Sequence, residues 1–125
     1  MNHRELSKKL AEHFGYKLIE EYQLDDTLTA EIDFEVKEIR FRDKINSGWK
    51  SLVCIHELGH HILDDIREKR NNELTAWMMG LYYFKELPKF QGDCLSLEDA
   101  FKLFMEGILI GRNWGKGKTK SFSDD

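Results

Sequence analysis

Residues 52–63 read LVCIHELGHHIL, and this stretch decides how the rest of the chain is interpreted. His56 and His60 lie four positions apart and are surrounded by apolar residues. This spacing predicts a largely buried helix that runs from about Trp49 to Asp64. Because residues four apart share one face of a helix, both imidazoles can reach a single metal ion at about 2.0–2.1 Å from each nitrogen.

Glu57 follows the first of these histidines and completes the pattern His-Glu-x-x-His. In a metal site of this kind, the glutamate is the general base that acts on a water molecule bound to the ion. Burying two histidines and a glutamate without partners is costly, and a metal ion removes that cost. The alternative is a core helix whose histidines are hydrogen-bonded and do no chemistry.

Two histidines do not complete a tetrahedral site, so a third protein ligand is required. Asp64 lies four residues after His60, but along a straight helix it would be about 12 Å from His56, too far to share one ion. One class of metallopeptidase carries a glycine three residues after the second histidine and a further histidine three residues after that glycine. Those positions are Leu63 and Ile66 here, which excludes that class.

Glu73 is the candidate for the third ligand, because it lies at the start of the next predicted helix. Two antiparallel helices joined by the polar loop 65–71 would bring Glu73 back beside His60. An inward-facing glutamate requires a partner. The apolar residues that follow it on the same face are Trp77, Leu81 and Phe84. The alternative is that Glu73 is only a favourable charge at a helix N-terminus.

The remaining pattern predicts an α+β fold, with a small antiparallel sheet packed against a few helices and the motif on a central buried helix. Residues 28–36 alternate between apolar and polar, as in a half-buried strand, and residues 39–42 alternate again after a phase slip. The slip fits a tight turn or a bulge. The strand at 39–42 either lies along the cleft and pairs with an extended substrate or is an ordinary sheet strand.

Three further helices and the domain limits follow from the same patterns. The helices are predicted over residues 3–14, from Asn71 or Asn72 to about Glu86, and after a capping box at residues 96–99. Residues 1–112 are expected to form one domain. Residues 113–125, rich in Gly, Lys, Ser and Asp, are expected to form a disordered tail.

Composition narrows the class of protein. The chain has 125 residues with a formal net charge of −4, which argues against direct nucleic-acid binding. No run of about 18 apolar residues exists, so no membrane span is expected. The N-terminus lacks a secretory signal, and Cys54 and Cys94 are expected to be reduced. The sequence therefore predicts a cytoplasmic protein.

The stretch 53–63, together with Glu73, resembles the ImmA/IrrE-type zinc metallopeptidases of phages, integrative elements and bacterial stress regulation. The resemblance covers about residues 38–86, and its sharp part is the five-residue motif plus Glu73. It implies a minimal zincin-like domain that binds Zn²⁺ and hydrolyses a peptide bond. The implied substrate is a regulatory protein, typically a helix-turn-helix repressor. Members commonly have Ala after the third ligand, where this chain has Leu74.

Two other functions are compatible with these residues. One is a zinc-containing binding or regulatory module that never hydrolyses a peptide. The other is a metal-free interaction protein with a degenerate motif. Glu57 favours the enzyme, because a purely structural zinc site closes with four protein ligands and needs no base.

Overall fold

The computed structural model describes residues 2–23, 30–42, 47–92 and 94–109. Within these ranges the elements are α1 (His3–His13), β1 (Lys17–Tyr22), β2 (Ala30–Asp33), β3 (Glu38–Arg42), α2 (Ser47–Asp65), α3 (Glu73–Lys85), a short 3-10 helix (Pro88–Phe90) and α4 (Leu97–Leu109). The fold is α+β, as predicted. The expected tail at 113–125 lies outside the described residues. In the described part of the chain, no helix is long and apolar enough to cross a membrane.

The helices begin where the sequence provides caps. The side chain of Asn2 accepts from the backbone N–H of Glu5 at the start of α1. Asn72 caps α3, and Ser96 Oγ accepts from the backbone N–H of Asp99 at 3.0 Å in the first turn of α4. Each cap satisfies a backbone donor that the helix itself leaves without a partner. The predicted helices are therefore present, with bounds that differ by one or two residues.

The sheet is mixed, so the prediction of an antiparallel sheet is wrong. The strand order is β1-β3-β2, in which β1 pairs parallel to β3 and β2 pairs antiparallel to it. The sequence pattern does not reveal β1. Its apolar residues Leu18 and Ile19 are adjacent rather than alternating. Its partner is fixed by long-range pairing, in which Leu18 lies opposite Ile39.

A tight turn joins β2 to β3 and accounts for the phase slip in the sequence. Asp33 Oδ1 accepts from the backbone N–H groups of Glu35 at 3.0 Å and Val36 at 3.1 Å. Lys37 then takes a left-handed backbone conformation with φ 61°. Of the two readings of the slip, the turn is correct, and the strand expected over 28–36 ends at Asp33.

β3 is the central strand and packs its apolar side chains inward. Ile39 and Phe41 are fully buried, whereas Arg40 points to the other face, where it forms ion pairs with three carboxylates. Those partners are Glu31, Asp33 and Glu38. Because both edges of β3 are occupied, residues 39–42 form an ordinary sheet strand and cannot pair with a substrate backbone.

Helices α2 and α3 touch backbone to backbone at two glycines. A Cβ atom built at Gly59 would lie 1.8 Å from the carbonyl oxygen of Ala76, and one at Gly80 would lie 2.2 Å from that of Ile55. Neither position has room for any side chain. The close approach places the start of α3 directly beside the face of α2 that carries the two histidines.

Candidate metal centre

Three side chains from α2 and α3 converge at one point. Nε2 of His56 lies 2.7 Å from Oε2 of Glu73, and Nε2 of His60 lies 3.1 Å from Oε1 of the same carboxylate. The candidate ligand atoms of the three residues all lie within 4.8 Å of one another. The group formed by His56, His60 and Glu73 could therefore hold a metal ion.

The two distances to Glu73 are close to those between the ligands of a metal ion. Ligands that lie about 2.0–2.2 Å from a tetrahedral ion are roughly 3.3 Å from one another. The N···O distances to Glu73 are 2.7 and 3.1 Å, a few tenths of an ångström shorter. The side chain of Glu73 is 59% exposed, so its carboxylate can move outward by that amount. The donor set of two imidazoles and one carboxylate also occurs in catalytic zinc sites.

Trp77 fixes the orientation of the His56 ring. The imidazole is only 3% exposed and stacks on the indole, with ring centroids 4.6 Å apart and planes 25° apart. Trp77 lies one helical turn after Glu73 on α3. The same helix therefore supplies one candidate ligand, Glu73, and the aromatic ring that packs against another, His56. A packed ring loses little further entropy when it binds an ion.

The first turn of α3 holds Glu73 in place. Asn72 Oδ1 accepts from the backbone N–H of Thr75 at 2.9 Å, and Thr75 Oγ1 accepts from that of Asn72 at 3.0 Å. This reciprocal capping box makes Glu73 the first helical residue. Hydrogen bonds from His56 and His60 hold the pKa of Glu73 far below its usual range. Glu73 thus lies at a helix N-terminus and also contacts both histidines.

Glu57 supplies a second carboxylate beside this group, and unlike that of Glu73 it is buried in the protein. Its Oε2 is 3.9 Å from Nε2 of His56, and the residue is only 7% exposed. Burial raises the pKa of the Glu57 carboxyl above its usual range, while the nearby histidines act in the opposite direction. A carboxylate with a raised pKa is a stronger base than that of an ordinary glutamate.

Asn71 is a site residue that sequence reasoning did not identify beyond naming it as a possible helix start. Its Oδ1 lies 2.6 Å from Nδ1 of His60, and its Nδ2 donates to the carbonyl oxygen of His60 at 3.0 Å. The only signal in the sequence is an amide residue two positions before Glu73. Loop asparagines are common, so that signal is too weak to predict the contact.

Comparisons of the chain with protein-family models, with curated proteins and with solved structures find no match.

We expect the metal affinity of this group to fall as the pH is lowered, beginning above the ordinary histidine pKa of about 6.5. Burial alone would lower the pKa of His60, but hydrogen bonds with Glu73 and Asn71 raise it. Since a metal binds only the unprotonated imidazole, each displaced proton weakens the apparent affinity about tenfold per pH unit below that pKa. Competition with a chromogenic zinc chelator across this pH range measures the effect.

The control for this titration is His61→Gln, which removes the neighbouring imidazole on α2. His61 lies outside the group, with its Nδ1 2.7 Å from the hydroxyl of Tyr16. The variant should keep the same midpoint as the wild type. A wild-type midpoint at or below about 6.5 would contradict the expected role of the hydrogen bonds.

Proposed function

We propose that this protein is a zinc-dependent metallopeptidase with a zincin-like fold, in which His56, His60 and Glu73 hold one Zn²⁺ and Glu57 is the catalytic general base. The observation that carries the proposal is the convergence of two imidazoles and a carboxylate from adjoining helices, beside a second, buried carboxylate. Three protein ligands leave a fourth position open, which is the arrangement of a catalytic rather than a structural zinc site.

The ion and Glu57 have separate parts in this chemistry. A bound zinc ion lowers the pKa of coordinated water towards about 7 and polarises a carbonyl. Glu57 accepts the proton as water attacks the scissile carbonyl carbon, and donates it to the leaving amine when the C–N bond breaks. The burial of Glu57 supports this role, because it raises the pKa of the carboxyl and so makes the carboxylate a stronger base than that of an ordinary glutamate.

The outer edge of β2 is our candidate for the surface that binds the substrate backbone. β2 packs against α2, the helix that carries the motif, and in the ranges that the structure describes no strand pairs with its outer edge. An extended peptide can add to a free strand edge through main-chain hydrogen bonds. The candidate strand for pairing with a substrate is therefore β2, and not the strand at residues 39–42.

The proposed substrate is a regulatory protein, such as a helix-turn-helix repressor of a phage or mobile element. This part of the proposal rests on the resemblance of residues 53–63 and Glu73 to the ImmA/IrrE-type enzymes. It requires no contact of this protein with nucleic acid or with a membrane.

The competing function is a zinc-containing binding or regulatory module without hydrolytic activity. Such a module closes its metal site with four protein ligands. Among the described residues, His56, His60 and Glu73 are the one group of His, Cys, Asp and Glu side chains with converging ligand atoms. X-ray absorption spectroscopy of the zinc-loaded protein separates the two functions. One non-protein oxygen in the first shell supports the enzyme, and four protein ligands support the module.

The direct test of the activity is incubation of the zinc-loaded protein with unfolded casein and with a library of random dodecapeptides. We expect cleavage products that disappear with 1,10-phenanthroline and return when zinc is added in excess. Mass spectrometry of the products gives the cleavage sites. Zinc-loaded, folded protein that cleaves neither the casein nor the library would count against a general peptidase and favour the binding module.

A further inference from the structure

We propose that Asn71 is a positioning residue that holds neutral His60 as the tautomer with its proton on Nδ1, so that the lone pair of Nε2 faces the metal. The proposal rests on the proposed metal site and deepens it. It concerns a residue that belongs neither to the candidate ligands nor to the catalytic base. It follows from two hydrogen bonds made by one amide group.

The first step is the orientation of the Asn71 amide. One end of the amide lies 3.0 Å from the main-chain carbonyl oxygen of His60. A carbonyl oxygen can only accept a hydrogen bond, so the amide nitrogen must face it. This contact fixes which end of the side chain is nitrogen and which is oxygen, an assignment that otherwise depends on the surrounding network.

The second step is the tautomer of the His60 ring. With the nitrogen directed at the carbonyl, the Asn71 oxygen is the atom 2.6 Å from Nδ1 of His60. An amide oxygen can only accept, so Nδ1 must carry the proton. Without metal, Nε2 can also hold a proton and donate it to Glu73; a metal ion takes the place of that proton, and the neutral ring then keeps its one N–H on Nδ1 and its lone pair on Nε2. Nε2 is the atom that lies 3.1 Å from Glu73 in the candidate site.

The third step is that both ends of the loop hold Asn71 in position. At the end of α2, Arg67 adopts a left-handed conformation with φ 59°, and the N–H of Glu68 returns to the carbonyl of Leu63 at 2.9 Å. At the other end, Asn72 forms the capping box of α3. The loop between the helices is therefore short and fixed at both ends, and it presents Asn71 to the back of the His60 ring.

A partner of this kind governs metal affinity. Metal-binding histidines donate their other ring N–H to an acceptor, which fixes the ring and makes the ligating nitrogen more basic. Loss of such a partner typically lowers the metal affinity by roughly 10–100-fold. We therefore expect Asn71→Ala to weaken zinc binding by about that factor. Without the acceptor at Nδ1, the Glu73 carboxylate favours a proton on Nε2, the atom that must bind the metal.

Asn71→Asp distinguishes the acceptor from a simple loop tether. The aspartate keeps an oxygen opposite Nδ1 of His60 but loses the donor to the carbonyl oxygen. If the acceptor sets the affinity, Asp should restore zinc binding to within about threefold of the wild type. If Asn71 only tethers the loop, Asp and Ala should weaken binding equally, and that result would overturn the proposal.

Asn2→Ala is the matched control for lost stability. It removes the N-cap of α1 and so lowers the stability of the fold, and it changes no residue of the site. Its zinc affinity should equal that of the wild type. An Asn71→Ala protein with wild-type zinc affinity would also contradict the proposal.

The tautomer itself can be read without metal, which separates this inference from the proposed function. Long-range ¹H–¹⁵N NMR spectra of the metal-free Glu73→Ala variant, which lacks the competing acceptor at Nε2, should show the His60 proton on Nδ1. The spectra are recorded near pH 9, about 2.5 units above the ordinary histidine pKa, where the imidazole is neutral. A proton on Nε2 would overturn the inference whether or not zinc binds. If the proton is on Nδ1 but the wild type binds no zinc, the proposed function fails while the assignment of the tautomer stands.

Discussion

Glu57→Gln is expected to lower the rate of peptide hydrolysis by at least about 10²–10⁴-fold, the contribution typical of general acid–base catalysis. The amide of glutamine has the same shape but cannot accept the proton from water. Zinc should remain bound, because the three candidate ligands are His56, His60 and Glu73. Turnover of the casein probe and zinc content, measured on the same preparation, test both halves of this expectation.

Loss of activity through misfolding is excluded by the stability of the same variant. Burial raises the pKa of Glu57, so the folded protein favours the neutral carboxyl, and this contribution to stability is lost as the pH rises through the raised pKa. A neutral glutamine avoids that loss, so the metal-free variant should be at least as stable as the wild type at neutral pH. The control Glu12→Gln, at an exposed position on α1, should leave turnover unchanged. Normal turnover by Glu57→Gln would refute the assignment of the base.

Gly59→Ala is expected to destabilise the protein by about 3 kcal/mol or more and to weaken zinc binding by roughly tenfold or more. In an isolated helix, this change would add about 1 kcal/mol of stability. Here the added methyl group would lie 1.8 Å from the backbone oxygen of Ala76, and no rotamer change can relieve a clash with backbone. Helix α3 must move away from α2, and it would carry Glu73 with it.

The measurements for this variant are urea unfolding and zinc affinity. Gly15→Ala is the control, because its Cβ would meet nothing within 4 Å, although its φ of 82° disfavours a side chain. That change should cost only about 1 kcal/mol, and the zinc affinity should stay the same. If Gly59→Ala were no more destabilising than Gly15→Ala, the backbone contact between α2 and α3 would not be the feature that positions Glu73.

The helices and the convergence of the candidate ligands could be predicted from the sequence because both depend on local rules. Residues four apart share a helix face, and a short polar loop returns the next helix beside the first. Asn72 and Ser96 mark two helix starts through capping chemistry that acts over three residues. These signals are local, so they can be recognised in the sequence without knowledge of the tertiary structure.

The features that could not be predicted depend on distant parts of the chain. The parallel pairing of β1 joins Leu18 to Ile39, and the local pattern at residues 17–22 does not alternate. Gly80 looks like an ordinary helix residue until its contact with Ile55 is known. Asn71 acquires a role only because Arg67 ends one helix and Asn72 begins the next. The catalytic role of Glu57 stays a prediction.

The central claim is that His56, His60 and Glu73 together hold one zinc ion. Elemental analysis of bound metal per chain, on protein purified without chelator, tests it most directly when the wild type is compared with His60→Ala and Glu73→Ala. Asp64→Ala, which changes a nearby carboxylate on α2 outside the group, is the control. We predict about one zinc per chain in the wild type and the control, and none in the two ligand variants. Zinc retained without Glu73, or no metal in the wild type, would contradict the claim.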